Sequence, residues 1–180
     1  MSFNLALSKL SEEQFMFLMK NGKRSSIINN FDFESLTEFS FKFVKKRIPE
    51  LFKSGNFERV IVEAFNDRGI LFFDCDVNFI DNNELLYFIF WIKDELELWG
   101  KHEQQYLSGE PNFDLLASGI NELDQFGLLN VIDSLAGGDI TKHEQIWKMK
   151  YGHIFDKQWK SIIEAKIQKK LAKQQSSKTR

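Results

Sequence analysis

The chain has 180 residues and a mass of 21.2 kDa, with 43% hydrophobic and 28% charged side chains and a formal net charge of −2, which excludes collagenous, wholly disordered and disulfide-stapled classes. At this length folding removes roughly 70% of the unfolded chain's surface from water, enough for a substantial core. Nineteen Phe against two Pro point to a bulky aromatic interior with few forced breaks, a usage that suits long helices.

In chain order, Ser11-Glu12-Glu13-Gln14 reads as a capping box opening a short helix with Phe15, Leu18 and Met19, stopped near Gly22. Asp32 is placed to cap a second helix, with Phe31 and Leu36 as a hydrophobic staple and Leu36, Phe39, Phe43 and Val44 on one face. The alternation of Phe39, Phe41 and Phe43 with Ser40 and Lys42 is a competing strand signal, and Pro49 is expected to end the helix. After a break at Ser54-Gly55-Asn56, the β-branched run Val60-Ile61-Val62 with Ala64 and Phe65 predicts a strand. Asn66-Asp67-Arg68-Gly69 predicts a turn and Ile70 to Ile80 a second strand, together a β-hairpin. Asn82 opens the strongest predicted helix, apolar all round from Leu85 to Ile92 and ending at Gly100 or near Ser108-Gly109. A helical stretch follows from about Phe113 to Leu135, with Leu123, Phe126, Ile132 and Leu135 in register, interrupted near Gly119 and stopped by Gly137-Gly138. Thr141-Lys142-His143-Glu144 reads as a second capping box for a short helix broken at Tyr151-Gly152. The last helix spaces Trp159, Ile163, Ile167 and Leu171 four apart and surrounds them with lysines, fraying from Gln174. The predicted fold is α+β, mostly helical with one antiparallel hairpin. A compact domain spans residues 1–155, and a basic helix with its tail spans 156–180.

Charge is unevenly distributed. Residues 142–180 carry eleven Lys and Arg against three acids, a net +8, and residues 1–141 carry thirteen basic and twenty-three acidic side chains, a net −10. Such polarity favours docking on an acidic surface or association between copies. The basic residues are nearly all Lys, with Arg180 the tail's sole Arg, which argues against nucleic acid, where the bidentate guanidinium is the better ligand. One cysteine, Cys75, precludes an internal disulfide. The start of the chain lacks a charged segment leading into an apolar run, and the longest apolar run falls short of the ~20 residues of a membrane span. These features predict a cytoplasmic protein that does not enter a membrane.

Asp74 and Asp76 sit two apart with Asp81 beyond them. On a strand they would share a face and could hold Mg²⁺ or divide nucleophile and acid/base roles. The run Leu71 to Asn82 resembles the first motif of haloacid-dehalogenase-type phosphatases, which would make Asp74 the nucleophile and Asp76 the acid/base. Val77 and Asn78 stand where that family favours Gly and Thr, and its later motifs have no counterpart here. A polar outer face on the hairpin is the preferred reading of the pair. His102, His143 and His153 lack zinc spacing, His143 is expected to face solvent, and no cofactor or metal site is predicted.

The segment Leu135 to Tyr151, with its Gly-Asp turn, short capped helix and Tyr before a charged helix, resembles the ends of small accessory proteins of tailed phages such as tail-assembly chaperones. That resemblance covers about a fifth of the chain and implies an assembly or adaptor role. The residues by themselves favour a non-enzymatic protein-binding role. Trp159, Ile163, Ile167 and Leu171 would be buried against a partner, while Lys166, Lys169, Lys170 and Lys173 steer toward an acidic surface, one candidate being another copy's Asp94, Glu95 and Glu97. Alternatives are an acidic immunity- or antitoxin-type inhibitor of a basic toxin, and a metal-dependent phosphatase using Asp74 and Asp76.

Overall fold

A computed structural model describes residues 33–72, 82–108 and 119–178. It divides into two compact units, Met1–Trp99 and Gly100–Arg180. The described residues are mostly helical and contain no β-strand, which overturns the α+β prediction. The capping box at Ser11 and the candidate pair Asp74 and Asp76, together with Cys75, lie outside the described residues.

In the first unit, Ser35 caps a 3₁₀ turn at Leu36–Glu38, its Oγ accepting from the Thr37 N–H. The chain is extended at Phe39 and helical again from Phe41. A π-helical segment, Phe43–Arg47, runs directly into α1, Ile48–Ser54. Pro49 therefore does not end the helix. The Ile48 N–H reaches back to the Phe43 carbonyl, one residue further than in an α-helix. This wider turn accommodates a proline that has no N–H to offer and whose ring would crowd the carbonyl four residues back. Leu36, Phe39, Phe43 and Val44 are all buried, as their spacing predicted, although they belong to several elements.

The predicted first strand is instead α2, Phe57–Asp67. Asn56 caps it by accepting from the Arg59 N–H at 3.2 Å. Phe57, Val60, Ile61, Ala64 and Phe65 follow helical spacing, and the last four are fully buried. A strand would put Glu63 on the same face as Ile61 and Phe65. Burying a Val, Ile or Phe side chain is worth about 1.5–3 kcal/mol, whereas β propensity spans only about 1 kcal/mol, so periodicity wins over β-branching. The turn after it is real: the Ile70 N–H reaches the Phe65 carbonyl at 2.9 Å. Asn66 then pairs its side-chain amide with the Phe72 backbone, at 3.0 and 3.3 Å, and Phe72 stacks on Phe65 with ring centroids 4.4 Å apart. Of the predicted second strand, Ile70 to Phe72 has no regular structure and the rest lies outside the described residues.

Helix α3, Asn82–Tyr106, runs from the first unit into the second. Its Leu85, Leu86, Phe88, Ile89, Phe90 and Ile92 are buried, as an apolar-all-round segment should be. Phe33 gathers the core of the first unit, with ring centroids 5.1 Å from Phe65, 5.4 Å from Phe88 and 5.5 Å from Phe39.

In the second unit a 3₁₀ helix, Ile120–Phe126, precedes α4, Leu128–Ala136. Gly127 between them takes φ 49° and ψ −123°, open to glycine and strained for any side chain. At the other end of α4, Gly137 adopts a left-handed conformation (φ 68°) and closes the helix as predicted. The next cap is Asp139, which accepts from both the Thr141 N–H and its hydroxyl, so the predicted Thr141 cap is displaced by two residues. A 3₁₀ turn, Ile140–Lys142, leads into α5, His143–Lys148. Met149 is extended, and α6 begins at Tyr151 and runs through Gln174 to Lys178. The break thus falls before Tyr151 and not at Tyr151-Gly152. No described helix is long and apolar enough to cross a membrane.

Candidate functional site

The start of α6 is held by its own unit. Tyr151, Ile154 and Phe155 are buried. The Tyr151 hydroxyl donates to Glu103 Oε1 at 2.9 Å. Burial and then the neighbouring Glu103 carboxylate push the Tyr151 pKa well above the usual phenol range. Lys157 Nζ reaches the Leu135 carbonyl at 3.4 Å. Trp159 rests on Tyr106, ring centroids 5.0 Å apart, and leaves part of its surface open.

From Ile163 onward every described residue of the helix is exposed. Trp159, Ile163, Ile167 and Leu171 are 39–50% exposed, and Lys166, Lys169, Lys170 and Lys173 are exposed beside them. All eight residues singled out from the sequence lie on this one solvent-facing segment. At about 100° per residue, the four apolar side chains wind by about 120° around the axis, along the inclined ridge of an i+4 row. Lys166, Lys170 and Lys173 come within about 40° of the Trp159 direction. The C-terminal half of α6 therefore carries an apolar ridge and a basic stripe side by side. Lys160 and Glu164 form one exposed pair at 3.7 Å, worth a fraction of a kcal/mol at most.

The acidic group expected to receive such a surface, Asp94, Glu95 and Glu97, is divided by the structure. Glu95 Oε2 accepts from both Ser35 Oγ and the Leu36 N–H at 2.9 Å, and the Trp99 indole donates to the same Ser35 hydroxyl at 3.1 Å. Glu95 is a capping group inside the first unit. Asp94 remains exposed, its pKa raised by partial desolvation and then by the nearby Glu97 charge.

A second surface was not singled out in the sequence. The 3₁₀ helix Ile120–Phe126 is exposed all round, and Ile120, Leu123, Phe126 and, past Gly127, Leu129 are 38–49% exposed. Leu123 and Phe126, expected on a buried helical face, are on the outside. Three residues per turn stacks side chains at i and i+3, so Ile120, Leu123 and Phe126 form one ridge. Its backbone is tied down: Asn130 Nδ2 donates to the Leu123 carbonyl, and Gln125 Nε2 to that of Glu122 at 2.8 Å. From Gly119 to Asp139 there are four acids, Glu122, Asp124, Asp133 and Asp139, and no Lys or Arg.

Among the described residues no group of three or more His, Cys, Asp or Glu could hold a metal ion. His143 is not solvent-facing as expected: it is half-buried, with Nε2 3.2 Å from Asp133 Oδ1. No family model matches the chain, and no curated protein or solved structure is significantly similar to it.

Proposed function

We infer that this protein works by binding another protein through the exposed half of α6, in an assembly or adaptor role. The observation that carries the reading is the long run of α6 from Trp159, exposed at every described position but the half-buried Ile162 and presenting four large apolar side chains in one ridge. An isolated helix is marginal in water, and an apolar ridge left in solvent stabilises nothing until a surface covers it. The adjacent lysines suit an acidic partner, accelerating encounter and penalising basic competitors. The resemblance of the segment Leu135 to Tyr151 to the ends of phage accessory proteins supports an assembly role in such a setting.

The test is a double variant, Ile163→Ser with Ile167→Ser, compared with the native chain for self-association by sedimentation and for capture of proteins on immobilised chain. Loss of both with unchanged melting temperature is the expected result. A variant that associates and captures like the native chain, or one that melts several degrees earlier, would overturn the reading. The first result makes the ridge idle, and the second makes it internal packing.

A further inference from the structure

We propose that the surface covering the α6 ridge is the acidic-flanked ridge Ile120–Leu129 of a second copy of this chain. The proposal rests on α6 being the contact element and adds the identity of what it contacts.

Three observations point to this pairing. The first is charge: Glu122 and Asp124 stand on the ridge with no base between Gly119 and Asp139, while Asp133 and Asp139 are engaged by His143 and Lys142, and residues 157–178 hold seven Lys against Glu164. Two apolar ridges flanked by opposite charges attract each other, and each disfavours pairing with itself, because lysines would face lysines and acids would face acids. The second is shape. At about 2.0 Å per residue Ile120 to Phe126 spans about 12 Å, and at 1.5 Å per residue Trp159 to Ile167 also spans about 12 Å, so three side chains of one ridge meet three of the other. The third is the condition of the 3₁₀ helix. Seven residues is long for such a helix, which usually stops after three or four. This one has no buried side chain, so a partner surface would supply packing that its own unit does not.

Contact of α6 on one copy with the Ile120–Leu129 ridge on another is heterologous: the two patches differ, and each copy carries both. This makes a specific prediction for mixtures. A chain with Ile163→Ser and Ile167→Ser keeps its acidic ridge but loses its α6 ridge. A chain with Leu123→Ser and Phe126→Ser does the reverse. All four positions are exposed, so neither pair removes core packing.

Sedimentation velocity on the full chain, at low and at 0.5 M salt, reads the outcome. The native chain is expected to associate at low salt and to dissociate as salt rises. Each double variant alone should associate about tenfold or more weakly, the effect expected when central apolar contacts are lost. Mixing the two variants should restore association as one-to-one pairs, since one intact α6 ridge then meets one intact acidic ridge. Where the Leu123→Ser, Phe126→Ser pair lowers the melting temperature, Glu122→Lys, Asp124→Lys mixed with Lys166→Glu, Lys170→Glu replaces it: each charge variant alone should associate weakly, and the mixture should associate through both ridges and so beyond one-to-one pairs. Three results would overturn the proposal: a native chain that stays monomeric throughout, a Leu123→Ser, Phe126→Ser variant that associates normally, or variants that do not complement. A monomeric native chain whose α6 variant still loses captured protein would discard the second copy as partner and leave α6 as the contact element.

Discussion

Glu95 and Ser35, sixty positions apart, share a hydrogen bond of 2.9 Å that closes the N-terminus of the Leu36–Glu38 turn. The same carboxylate oxygen takes the Leu36 N–H, so one acidic side chain from α3 satisfies two donors at the start of another element. Glu95→Ala should therefore destabilise the protein by about 1.5 kcal/mol, in the range for a lost bond to a charged acceptor, with salt-dependent association unchanged. Urea unfolding and sedimentation of the same sample check both halves. Weakened association at native stability would return Glu95 to the partner-facing role its sequence position suggests.

Arg47 clamps the π segment to α2. Its Nε and Nη2 donate to the two oxygens of Glu63 at 2.8 and 2.6 Å, and its Nη1 donates to Glu50 at 2.5 Å. Arg47→Lys keeps the charge and loses the fork, and is expected to cost about 1 kcal/mol at this partly exposed position.

The same contact sets an acid-side signature. The Arg47 guanidinium, bonded to Glu63, holds that carboxyl below the usual glutamate range. A depressed folded pKa contributes stability above the unfolded value, about 4.3, and that contribution is lost as pH falls through the folded value. Melting curves of the native chain and of Glu63→Gln should run parallel above about pH 5 and converge below about pH 4.

Tyr151 gives the opposite sign at the other end of the scale. Its folded pKa is raised, by burial and then by Glu103, so its contribution is complete below the unfolded value, about 10, and falls as pH rises beyond it. Tyr151→Phe should lose about 1.5 kcal/mol at neutral pH, the bond to Glu103, and show a shallower loss of stability between pH 10 and 11. Identical alkaline slopes for the two proteins would count against a buried phenol there.

Phe33 tests the core. It is 1% exposed and lies within about 5.5 Å, centroid to centroid, of Phe39, Phe65 and Phe88. Phe33→Ala should cost about 3–5 kcal/mol in urea unfolding, with far-UV circular dichroism still helical before the transition.

Much of the chain was readable locally. The Gly55 and Gly137 stops and the ridge of α6 each announce themselves within a few residues, because C-caps and i+4 spacing are short-range chemistry. The α6 ridge was legible because Trp159, Ile163, Ile167 and Leu171 are its large apolar residues at i+4 spacing with lysines close beside them. Phe57–Asp67 reads locally as a strand because three consecutive β-branched residues are a local signal, whereas the helical spacing of Phe57, Val60, Ile61, Ala64 and Phe65 counts only once a core exists to bury it. Two eligible caps, Asp139 and Thr141, stand two residues apart, and only the path of the chain into α5 chose between them.

Composition and near-neighbour spacing suffice for the glycine stops at Gly55 and Gly137, the apolar interior of α3 and the polarity between an acidic body and a basic C-terminal helix. Tertiary structure alone decided which acids and apolar residues remain available. Glu95 is taken up by Ser35, while Leu123 and Phe126, indistinguishable in pattern from buried residues, stay in water. Exposure depends on what lies across from a side chain, and residues sixty positions away supply that as readily as neighbours.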